Sequence, residues 1–175
     1  PVPWNDGEGT SGSFRRRLRV QNVDLANPGA LYFIEGQYVT EDDATWGNQN
    51  NNASYREVRV QQNYDLTFPS GTQTVRESSG IRAWKDYQES VTLVDVQVDE
   101  DGERDPETNN FEDGLFIVGY DVYDNGDGTW DYEYAIQNLN SHRSSQSSSL
   151  PVSGGVTVTD MGFHDVAYHS GDGID

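Results

Sequence analysis

The residues predict an all-β protein, an antiparallel β-sandwich of the jelly-roll or immunoglobulin-like kind. Three observations carry that expectation. Short runs of β-branched and aromatic residues recur between Gly- and Asx-rich turns along most of the chain. No window repeats apolar residues at i, i+3, i+4 and i+7 with caps at both ends, so crossover helices between parallel strands are not expected. Residues 115–140, LFIVGYDVYDNGDGTWDYEYAIQNLN, set two such runs about the cluster Asp124-Asn125-Gly126-Asp127-Gly128, a hairpin signal because Asn-Gly tolerates the positive φ a tight turn requires. In the second run, alternation puts Trp130, Tyr132, Tyr134 and Ile136 on one face and Asp131, Glu133 and Gln137 on the other. The first face is expected to meet a core and the second to meet water.

Taken in order, residues 1–12 are rich in Pro, Gly and Asx and read as an arm or linker, with one β-sandwich domain over 13–175. A first strand spans 13–23, where Arg15, Arg17 and Arg19 face away from Phe14, Leu18 and Val20. A second covers 31–39. The polar stretch 41–54 is long for a loop in a compact domain, and such loops tend to be functional. Trp46 lies in its middle, either folded back over the sheet or free as a sugar-stacking or interface residue. Strands are then expected at 55–62, 64–68, 72–77 and 91–98, followed by the central hairpin at 115–138. A proline-bearing edge strand is expected near Leu150-Pro151-Val152, and short strands at 156–163 and 165–169.

Composition bounds the function. Thirty acidic residues against eleven basic give a net charge of −19, which excludes the clustered positive surface that nucleic acid or an anionic membrane requires. No stretch approaches the roughly 18 apolar residues of a membrane-spanning helix. Cysteine is absent, so no disulfide braces the fold. The 20 aromatics offset a modest share of aliphatic residues and argue for a folded core. The chain begins at Pro1 and ends in Gly-Asp-Gly-Ile-Asp, and both ends are expected to be cuts in something longer.

Candidate chemistry is sparse. Asp99, Asp101 and Asp105 in DEDGERD have a spacing suited to wrapping calcium with oxygens, although Gln97 stands where a further leading Asp would sit; the competing reading is a solvated acidic loop. Asn52-Ala53-Ser54 fits the acceptor pattern for N-glycosylation, making Asn52 the attachment candidate. Asp131 and Glu133 would lie about 6.7 Å apart on one strand face, a spacing paired glycosidase carboxylates use but one that any D-x-E strand provides. His142, His164 and His169 form no metal-binding pair by spacing, and no nucleophile motif is present.

Three stretches form a recognisable set: residues 32–44 with 51–56, residues 125–141, and residues 162–173. Together they resemble the β-rich later part of large exported proteins of environmental bacteria. The resemblance implies secretion and a preceding domain, and carries over no activity or site residue. The acidic insert 99–114 departs from that pattern. The expected function is therefore a non-catalytic structural module at the cell surface or outside the cell, a subunit of a fibre or surface layer. Polymerisation would proceed by strand addition between copies, with Arg15, Arg17, Arg19 and Trp46 as interface candidates. A carbohydrate-binding module and a fragment of a secreted glycan hydrolase are the alternatives.

Overall fold

The central hairpin forms where the sequence places it. Strands β5 (Gly114–Asp124) and β6 (Trp130–Asn138) pair antiparallel, from Phe116 opposite Asn138 to Asp124 opposite Trp130. The connection runs through five residues, closed by the Asn125 amide donating to the Thr129 carbonyl at 3.1 Å. Asp124 and Asp127 accept from the amides of Gly126 and Thr129 at 2.8 and 2.9 Å, and the positive φ angles fall on Gly126 (74°) and Gly128 (90°) rather than on Asn125. The Thr129 hydroxyl and amide, both bonded to Asp127, hold its carboxyl below the ordinary carboxylate value.

The computed structural model describes residue 20 and residues 22–98, 114–141, 145 and 147–163. The chain divides into a unit of residues 26–146 and a unit of residues 1–25 and 147–175. The described residues of the first unit are all-β apart from two short helices. Strands β1 (Tyr32–Gln37), β2 (Ala53–Val60) and β3 (Leu66–Thr67) form one antiparallel sheet in that order. Strands β4 (Thr92–Val98), β5 and β6 form the other, with β5 in the middle. Among the described residues no helix is long and apolar enough to cross a membrane.

Helices α1 (Glu41–Thr45) and α2 (Arg82–Tyr87) are too short to leave a periodic apolar signature in sequence. In α1 the Thr40 hydroxyl caps the helix by accepting from the Asp43 amide at 3.3 Å. The N-terminus of α2 has no cap of its own and is satisfied from both sheets. Glu35 of β1 accepts from the Gly80 amide and, at 2.8 Å, from the Gln137 side chain of β6. The Gln137 side-chain oxygen accepts from the Ile81 amide at 3.1 Å.

This seam lies beside the core, where Ala53, Leu115, Ile117 and Leu139 are buried with Ile81 and Leu93 against them. On the other side of α2, Tyr55 donates to Asp86, and Tyr87 donates to Glu57 at 2.8 Å. Burial, then the hydrogen bond and the charge of Asp86, raise the Tyr55 hydroxyl well above its ordinary value. The bond to Glu57 raises Tyr87 in the same direction. Phe33 stands edge-on to both rings, at 5.8 and 5.1 Å.

Four expected strands are corrected. Residues 72–77 make a single bridge, Val75 with Tyr55, because Glu77 turns to φ 56° and ends the extension. Residues 150–152 and 156–163 are exposed and form no ladder among the described residues, and Asp160 at φ 54° interrupts the second stretch. The expected strand β3 shrinks to two residues because Tyr64, at φ 65°, closes a turn onto Gln61 just before it. The expected strands at 13–23 and 165–169 fall on, or almost wholly on, residues outside the described ones.

Candidate functional site: an open apolar sheet face

Strand alternation gives the β4–β5–β6 sheet two faces, and the register says which residues share them. The inner face carries Leu93 on β4, Leu115, Ile117, Gly119 and Asp121 on β5, and Ala135 and Gln137 on β6. Gly119 is what lets α2 lie there: a Cβ at this position would sit 3.2 Å from the Trp84 ring and 3.0 Å from Leu93. Asp121 is buried at the end of this face, bonded to Ser90 (2.8 Å), the Val122 amide (2.9 Å) and Gln88. Burial alone would raise its carboxyl. The hydrogen bonds from Ser90, Val122, Tyr123 and Gln88 outweigh burial and hold it below the ordinary value.

The outer face is apolar in all three strands. Val94, Val118 and Ile136 stand side by side across it, followed toward the hairpin by Thr92, Tyr120 and Tyr134, then by Val122 beside Tyr132 and Asp124 beside Trp130. Tyr120 and Tyr134 lie with ring centres 6.4 Å apart. The expectation that Trp130, Tyr132, Tyr134 and Ile136 face a core is therefore overturned: they are 53%, 58%, 43% and 45% exposed. Gln137, expected in water, is half-buried because both ends of its amide are engaged by Glu35 and Ile81. With Val94, Val96 and Tyr120, the four outer residues of β6 expose roughly 700 Å², taking full areas on the order of 150–250 Å² for aromatic side chains and somewhat less for aliphatic ones. That exceeds the roughly 300–600 Å² of the largest apolar patch on a typical monomer. No charged side chain stands on the face short of Asp124 at its hairpin end, in a chain of net charge −19.

A second concavity, a shallow cleft of about 280 Å³, is lined by Asn48, Asn50, Asn51, Arg82, Asp95 and Gln97, with Gly47 and Leu115. Arg82 donates to both Asp95 oxygens across it, at 2.8 and 2.9 Å, so its one acid is already paired with its one base. Neither region holds a nucleophile with an adjacent general base.

Other sequence candidates are dispersed. Trp46 caps the C-terminus of α1 and is 78% exposed, so it does not cover a sheet. Asn52 is half-buried just before β2, its carbonyl accepting from the Tyr38 amide at 3.1 Å. Asp131 and Glu133 are exposed on the edge strand β6. Glu133 lies across the ladder from Asp121, whose carboxylate is already taken up by hydrogen bonds. Arg15, Arg17, Arg19, Asp99, Asp101, Asp105 and the three histidines lie outside the described residues. Among the described residues no group of three or more His, Asp or Glu is placed to hold a metal.

The outer face was the feature that alternation misassigned. A signal for it was present: β5 reads LFIV, apolar on both faces, and a mid-strand glycine at 119 marks the face that another group approaches closely. Compared with protein-family models, with curated proteins and with solved structures, the chain matches none.

Proposed function

We propose that this domain is a non-catalytic structural module of an extracellular assembly, a β-sandwich subunit that associates with other chains through its sheet surfaces. The observation that carries this reading is the charge-free apolar face of β4–β5–β6 in a chain otherwise dominated by carboxylates. A fold leaves such a face open at a large solvation cost unless a partner covers it. Among the described residues, strands β4 and β6 are the edges of their sheet and β1 is an edge of the other, the kind of edge to which another strand can add. Export is supported by the resemblance of residues 32–44 with 51–56, 125–141 and 162–173 to exported proteins of environmental bacteria. The high negative charge keeps such a chain from associating at random.

Electron microscopy of native material and of the concentrated chain tests the reading. Fibres or ordered arrays are the expected result. Isolated monomers at every concentration, or turnover of a glycan substrate, would contradict it.

A carbohydrate-binding module is the second reading, favoured by Tyr120, Trp130, Tyr132 and Tyr134 on one face. Sugar platforms also need polar groups beside the rings to meet hydroxyls. Here the polar side chains beside the rings are Thr92 and Asp124 at the strand ends, and the other neighbours are Val94, Val118, Val122 and Ile136, which places this reading second. Glycan affinity lost in Trp130→Ala would reverse the order.

A further inference from the structure

Resting on the assembly reading, we infer that the occupant of the outer β4–β5–β6 face is the same face of a second copy, the two sheets packing about a two-fold axis. Area is the first argument. About 700 Å² on each partner makes a total near 1,400 Å², inside the range of about 1,200–2,000 Å² that specific stable interfaces bury.

Composition is the second. The patch has aromatic anchors, Trp130, Tyr132 and Tyr134, beside aliphatic Val94, Val118 and Ile136, and its polar residues, Thr92, Asp124 and Asn138, stand only at the strand ends. Its complement is another neutral apolar surface, and a second copy supplies one at equal concentration. A twisted three-stranded face is also the shape that another such sheet fits, at a separation of about 10 Å and about −30°.

Charge is the third argument. Two copies at −19 repel through their carboxylate-bearing surface, so contact is favoured on a face that carries no carboxylate short of its hairpin end. This fixes the sign of the salt dependence: screening the repulsion tightens the dimer, whereas a partner held by ion pairs would be released.

Sedimentation equilibrium of the full chain is the test, run from low micromolar to submillimolar concentration at two salt concentrations. The expected result is a monomer–dimer equilibrium that tightens as salt rises. Tyr132→Lys should weaken it by at least about a hundredfold, because the axis presents the substitution twice, each time between Trp130 and Tyr134. Val96→Lys, on β4, should act in the same direction, and native dichroism spectra would show that both variants are folded. Trp46→Lys, more exposed but on the end of α1, should leave the equilibrium unchanged. A monomer at every concentration overturns the inference, as does a dimer indifferent to both lysines or one loosened by salt. Arrays seen by microscopy without this dimer would sink the face-to-face pairing alone; monomers by both methods would sink the assembly reading with it.

Discussion

On the inner face of the β4–β5–β6 sheet, Leu115 and Ile117 are buried beside an aspartate, a glutamine and a glycine. On the outer face, one residue along each strand, eleven of the positions from Val94 to Ile136 hold valine, isoleucine, phenylalanine, tyrosine or tryptophan, Asp124 at the hairpin end being the charged exception, and most are open to water. The more hydrophobic face is the exposed one. What decided burial was not the hydropathy of the strand but what the rest of the unit could lay on it. Gly119 admits the Trp84 ring, and Gln137 and Glu35 satisfy the start of α2. Apolar side chains that the fold does not use for its own core remain available to a partner.

The largest effect on stability is expected at the start of β5, where the chain just after β6 comes close. Gly114 has φ 152°, and a Cβ there would fall 2.4 Å from the Ser141 Cα, which is backbone and cannot swing away. Gly114→Ala should destabilise the domain by about 3 kcal/mol or more, read from denaturant unfolding.

A matched pair tests the same division with one residue type. Ile117→Ala, fully buried, should cost about 2–5 kcal/mol. Ile136→Ala, on the open face, should change the stability of the dilute monomer by no more than about 1 kcal/mol. Equal losses would mean that the outer face is buried within the monomer.

Titration probes the inner elements alone. The folded Asp121 carboxyl lies below its ordinary 3.8, so its contribution is present above that pH and is lost as pH falls through the lower folded value. Tyr55 is raised, so its contribution is complete below pH 10.0 and is lost as pH rises beyond it. Asp121→Asn should flatten the acid limb of the stability profile, and Tyr55→Phe the alkaline limb. Neither should alter association at neutral pH. The smallest effect is expected at the hairpin tip, where Gly126→Ala, at φ 74°, should cost about 1 kcal/mol.

Much of this architecture is legible before any coordinates. The 91–98 strand, the strand at 31–39 and the hairpin all form within a residue or two of the alternation that predicts them. The strand at 72–77 does not, because a positive φ at Glu77 is a local event that no period-2 pattern contains. Nor does alternation say which face of β6 is inside. It yields two faces and leaves the choice to long-range contacts, here between Gln137 and a glutamate 102 residues away. The outer face was thus visible as an apolar row and misread as core.

The accessibility of Trp130 tests the central claim most directly. Acrylamide, being neutral, reaches a −19 surface without electrostatic bias, and the difference between wild type and Trp130→Phe isolates this ring from the other three tryptophans. At low concentration Trp130 should be quenched as an exposed indole, and the quenching should fall as concentration carries the chain through association. Protection at the highest dilution, or full quenching at every concentration, would contradict an open face that a second copy covers.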